Sequence, residues 1–298
     1  MSIRPLAWVM PWLASLPLCA GQTTRPLVIQ SPEQLVQQGA NISRAAAAAL
    51  EEQVEKTPED LNARAKLLGY YWYQWMLPGE AAAKAARRRH ILWLIEHHPD
   101  SPITGLEEAA LSEKSGAMTD AEGYQEARKR WLALMESKGS NAYVLGNAGK
   151  FFQMSDKPLA ERALLQAKSL QPENGEWDWR LGYLYAMGIL GVNALGVNGQ
   201  PTSADPFEAS GPFAGKARKT LAQSSSGTML AVAASILWRY GTMLAPTERG
   251  KLEYLEDAIK LVNQAKAAEP GNPSWPQFLA QLQAFKVQVT SPAPKPSK

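Results

Sequence analysis

Few residues of this 298-residue chain are of types that do chemistry, and they are widely spaced. Histidine occurs only at His90, His97 and His98. His90 and His97 lie two helical turns apart, roughly 10 Å along an axis, too far to share one metal ion. His97 and His98 fall at the end of a helical stretch, where imidazoles interact well with the last carbonyls. No thiol or carboxylate cluster completes a four-ligand set, so no metal is expected. Glu176 and Asp178 flank Trp177 and Trp179. Two carboxylates beside aromatic rings are the minimum for cleaving a glycosidic bond, but acids at this position also suit the start of a helix, and that reading is preferred. Gly211 to Ala217 approaches a phosphate loop, yet it has three residues between its glycines and no Ser or Thr after Lys216, and no strand precedes it. Nucleophile elbows, zincin helices and dinucleotide turns are absent from the sequence. The expectation is a non-enzymatic chain without a cofactor.

What remains is aromatic. Three sets of residues share i, i+4, i+7, i+8 spacing and hence one face of a helix each. The first contains Lys66, Tyr70, Tyr73 and Gln74, the second Leu145, Phe152 and Gln153, the third Trp179, Tyr183 and Met187. If these faces line one groove, it is rich in rings and poor in charge. Such a groove suits a peptide with hydrophobic side chains, or a sugar ring, better than an acidic tail. Packing is the commoner fate of any single aromatic residue, so the expectation attaches to the set.

The elements that must carry these faces repeat. Val144, Ala148, Phe151, Ala160, Leu164, Ala167 and Pro172 are followed by Asp178, Gly182, Tyr185 and Ala194, each 34 residues after its counterpart (182 − 148). That period belongs to stacked helix pairs. Helices are predicted over about 42–56, 59–76, 81–97, 105–113, 120–137, 141–153, 157–170, 176–187, 228–245, 248–268 and 275–289, with a further partner helix resuming at Ala217. Gly69, Ala148 and Gly182 stand where a neighbouring helix must come close. Phe151, Tyr185 and Trp72, three residues later, fill the space beside each crossing. Residues 188–215, rich in Gly, Asn, Pro and Ser, form an insertion that either folds over the groove as a lid or is a surface excursion. The run Arg87, Arg88, Arg89 reads as a solvated helix face.

These residues resemble the tetratricopeptide repeat family. The match is best over 141–187 and weaker over about 57–99, 120–139, 214–224 and 239–285. Asn147 stands where the family prefers leucine, and Trp177 comes one residue early. The resemblance implies an all-α fold: a right-handed α-solenoid of about five helix-turn-helix repeats, residues 42–289, closed by a C-terminal capping helix. It also implies a concave groove that binds a protein or peptide.

Composition sets the remaining bounds. The formal charge is +3, with 45% hydrophobic and 20% charged residues. No basic run is long enough for a nucleic acid partner. Residues 1–20 have the layout of a secretory signal peptide: Arg4, an apolar run from Pro5 to Leu18, and Ala20 as cleavage site. Its three prolines and short length argue against a membrane span. Cleavage after Ala20 removes the only cysteine, Cys19, and sends the chain to the periplasm or medium. The alternative is lipidation of Cys19, the one route by which membrane association is expected. Residues 21–41 read as a lead-in, and 290–298, rich in Pro, Ser and Lys, as a disordered tail.

Overall fold

The computed structural model describes residues 30–74, 80–113, 119–192, 209 and 211–290. The region read as a signal peptide (with Cys19), most of the 188–215 insertion and the tail lie outside the described residues. The described chain is all-helical, and its sole β feature is one bridge between Ser112 and Thr119. None of its helices is long and apolar enough to cross a membrane.

The helices are α1 (Pro32–Ala40), α2 (Arg44–Lys56), α3 (Leu61–Gln74), α4 (Glu80–His97), α5 (Ala121–Ser137), α6 (Ala142–Phe152), α7 (Lys157–Leu170), α8 (Gly175–Leu190), α9 (Pro212–Gln223), α10 (Gly227–Ile236), α11 (Glu248–Ala268) and α12 (Ser274–Thr290). Local chemistry explains their starts. The Asn141 and Asn174 side chains accept from the first backbone N–H groups of α6 and α8. Asp156 does the same for α7, with Pro158 in the first turn, and Thr247 for α11. Gly191, at φ 66°, ends α8 in a left-handed cap that favours glycine. Gly188 to Leu190 are therefore helix, and the insertion is shorter than its composition implied. From α3 onward most sequence neighbours pack on one another, and α8 contacts both α9 and α10. A continuous apolar core runs from Leu35 to Leu282.

Glycine marks two close approaches. A Cβ on Gly182 would stand 2.5 Å from the Met229 carbonyl oxygen, so α8 and α10 touch backbone to backbone. A Cβ on Gly69 would stand 2.0 Å from the Val36 oxygen, and one on Gly39 1.9 Å from the Lys66 oxygen. This second crossing joins α3 to α1, a helix absent from the sequence reading, which took 21–41 as a lead-in. Ser31 starts it through a reciprocal capping box with Gln34.

Two expectations fail. Residues 105–113 are not a helix: the chain makes two short 3₁₀ turns, Pro102–Gly105 and Glu107–Ala109. The arginine run is a solvated face only at Arg89, which stays 61% exposed. Arg87 is only 4% exposed. Arg88 grips Asp120 with two hydrogen bonds of 2.6 and 2.7 Å, and Arg89 pairs with Glu51 at 2.7 Å. Buried Arg87 links the two departures, because it binds the Glu108 and Ala110 carbonyls.

Candidate functional site

The segment 99–110 is stapled from two sides. Asn147, buried in α6, donates through Nδ2 to the Pro99 and Ser101 carbonyls, both at 2.9 Å. Gly105 passes so close that a Cβ there would lie 2.3 Å from Asn147 Oδ1. From the other side Arg87 donates to the Glu108 carbonyl at 2.9 Å and the Ala110 carbonyl at 2.5 Å, while its guanidinium sits 4.7 Å from the Trp72 ring centre. Burial lowers its pKa to about 10, so it stays charged at neutral pH. Ile103 is fully buried and pins the first turn. Within the segment the N–H groups of Thr104, Leu106, Ala109 and Ala110 bond three residues back, to the Ser101, Ile103, Leu106 and Glu107 carbonyls, which is the pattern of tight 3₁₀ turns.

Held this way, Leu106, Glu107 and Glu108 form one wall of a cleft of about 330 Å³. Lys150 and Gln153 of α6, Leu164 of α7, Trp179, Arg180 and Tyr183 of α8, and Glu33 of α1 form the rest. The Trp179 and Tyr183 rings, one turn apart, stack with centroids 5.7 Å apart at 18°. Trp179 remains 37% exposed. Lys150 Nζ lies 5.5 Å from the Tyr183 ring centre and forms no ion pair among the described residues. Arg180 donates to Glu176 at 2.8 Å and to the Gly146 carbonyl at 2.7 Å, a bond between positions 34 residues apart. Burial pushes the Glu108 carboxyl and the Tyr183 phenol up and the Lys150 ammonium down from their ordinary values. Glu107 Oε1 is sealed from water without a hydrogen-bond partner. Buried polar atoms normally have one.

Of the predicted groove residues, Gln153, Trp179 and Tyr183 meet in this cleft. The others do not line it. Leu145 is wholly buried with Ala142, Ala167 and Trp177, and Phe152 and Met187 are in the main core. Helix α6 is buried almost all round, so it has no free stripe of i, i+4 spacing. Tyr70 is buried in a cluster with Ala47 and Val54 of α2. Lys66 and Gln74 are half-buried, and Tyr73 is exposed, outside the cleft. Trp177, early by the repeat pattern, fits because Gly146 leaves room: a Cβ there would meet the indole at 2.3 Å.

The other chemically suggestive residues are committed to structure. Glu176 pairs with Arg180, and Asp178 with Lys168 at 2.5 Å. His90 Nδ1 lies 3.2 Å from Arg64 Nη1; a guanidinium only donates, so Nδ1 accepts and the proton sits on Nε2, which donates to Glu51 at 3.0 Å. His97 and His98 lie against Trp93, with ring centroids 4.6 and 5.3 Å away. Among the described residues no three His, Cys, Asp or Glu side chains are gathered to hold a metal ion.

Sequence reasoning missed Lys150, Glu107 and Glu108. The signal for Lys150 was present, since it is the one charge in the helix AYVLGNAGKFF. Comparison with protein-family models, curated proteins and solved structures finds no match for this chain.

Proposed function

We propose that the chain is an exported, non-enzymatic scaffold of the tetratricopeptide type that binds a protein or peptide in the Trp179 cleft. The observation that carries this reading is the convergence of Gln153, Trp179 and Tyr183 from α6 and α8 beside an unsatisfied carboxylate. The cross-repeat bond from Arg180 to Gly146, spanning the 34-residue period, supports the solenoid arrangement. Stacked pairs of this kind bind through their accumulated surface, because each pair contacts only its neighbours.

Two variants of the reading differ in attachment and ligand. Lipidation of Cys19 would make the scaffold an anchored assembly component, recovered with membranes. A saccharide partner, bound or cleaved, is favoured by the carboxylates of Glu107 and Glu108 beside an exposed indole, an arrangement that suits sugar stacking. The test is affinity capture from the native envelope with the wild-type chain and with a Trp179→Ser, Tyr183→Ser variant. The reading predicts a partner lost in the variant. Undiminished capture by a variant with unchanged circular dichroism rejects the cleft as the site.

A further inference from the structure

The cleft is unevenly charged. Glu33, Glu107 and Glu108 border it, and none forms an ion pair among the described residues. Two cations face them. Arg180 is already engaged by Glu176 and the Gly146 carbonyl. Lys150 stands over the Tyr183 ring. Three carboxylates against Lys150 and against Arg87, whose hydrogen bonds go to neutral carbonyls, leave one negative charge to be matched. The mismatch is greatest at Glu107 Oε1, which is shielded from water and receives no donor. Opposite stands Trp179, half-exposed, with Tyr183 stacked on it. An aromatic face together with a carboxylate is the environment that an alkylammonium prefers to water. An anionic ligand would meet three like charges, and a purely apolar side chain would desolvate the carboxylates without pairing them.

We infer that the cleft seats a primary ammonium of the partner peptide, held by Glu107 and Glu108 against the face of Trp179. This rests on the peptide-binding reading above and names the group recognised. A space of about 330 Å³ admits a chain end or one long side chain, not a folded element. Burial pushes the Glu108 carboxyl up, against the charges of Arg87 and Lys150. The ammonium can belong to a chain N-terminus or to a lysine, and the test separates them.

The test is calorimetric titration of the full chain with four tripeptide amides. They are glycyl-phenylalanyl-glycinamide with a free N-terminus, its acetylated form, and the acetylated lysyl and glutamyl analogues. At least one ammonium-bearing peptide should bind about tenfold more tightly than the acetylated glycyl form, a gap of about 1.4 kcal/mol, with the glutamyl peptide weakest. Which ammonium peptide binds identifies the source. Glu107→Gln should abolish the advantage while sparing the neutral peptide, and Glu33→Gln, at an exposed position, should reduce it. Equal binding of charged and neutral peptides, or a preference for the glutamyl peptide, overturns the inference. If the neutral peptide binds equally well and loses affinity in Trp179→Ser, the peptide-binding reading survives alone. If none of the four binds, both fall.

Discussion

Replacing Asn147 by Leu, the residue that the tetratricopeptide pattern prefers there, separates two accounts of this chain. If α6 only stacks between its neighbours, an apolar near-isostere at a 4% exposed position should be neutral or stabilising. The observed bonds demand the opposite. Asn147 Nδ2 satisfies two carbonyls, those of Pro99 and Ser101. Leucine leaves the Pro99 carbonyl without a donor among the described residues, while the Ser101 carbonyl keeps the Thr104 N–H at 3.1 Å. An unsatisfied buried group costs ~1–3 kcal/mol, so the substitution costs roughly 1–3 kcal/mol, minus whatever the segment recovers by opening to water. Stacked helices need not unfold in one step, so the primary readout is local amide exchange, with urea unfolding beside it. Protection over 101–110 should fall by about tenfold or more, while α11 stays protected. A midpoint shift worth less than ~0.5 kcal/mol together with unchanged exchange over 101–110 would refute the stapling argument.

Three further outcomes are expected. Arg87→Met keeps the volume but strips the donors from the Glu108 and Ala110 carbonyls; it should cost ~2–4 kcal/mol and expose the same segment to exchange, and normal protection there would contradict it. Gly69→Ala forces a Cβ against the Val36 oxygen, so α1 should detach at a cost of ~1–3 kcal/mol; limited proteolysis reads this as new cleavage near residues 31–41, and an intact α1 would count against the crossing. Acid stability should depend on Glu51. Burial raises its carboxyl, but hydrogen bonds from His90 and Tyr71 and the charge of Arg89 outweigh burial, lowering its pKa from 4.5 to about 2. A depressed value contributes stability that is complete above 4.5 and lost as pH falls toward 2, so Glu51→Gln should flatten the pH dependence of unfolding across that window. An unchanged acid limb would exclude this network as its source.

Much of the helical framework was legible because it is locally encoded. Helices α7 and α11 follow the boundaries that their caps and periodicity predict, and Gly182 marks a true close approach. The failures share a different origin. Helix α1 is short, and its apolar residues Leu35 and Val36 gain meaning only against α3, far along the chain. Residues 105–113 carry ordinary helix formers, but Arg87 binds the Glu108 and Ala110 carbonyls and the local N–H groups bond three residues back. Asn147 departs from the family pattern and holds the preceding segment in place through the Pro99 and Ser101 carbonyls. In the candidate site, Trp179 and Tyr183 were found because they share one helix. Lys150, Glu107 and Glu108 come together only through the stapled turns, and nothing in their immediate neighbourhoods announces it. Leu145, Phe152 and Met187 show the converse: correct spacing on a helix does not make an outer face when neighbours cover every side.

The central claim is that ligand meets this chain at Trp179. Fluorine resonances of 5-fluorotryptophan test it directly, with the Trp179 signal assigned by Trp179→Phe among the ten tryptophans. The chain has a second, smaller recess of about 150 Å³ between α10 and α12, lined by Trp238 and Trp275, which serves as the internal contrast. On titration with the ammonium-bearing peptides the account predicts that the Trp179 resonance shifts first and furthest, with Trp238 and Trp275 unmoved. A saturable shift at Trp238 or Trp275 with Trp179 unchanged would contradict it.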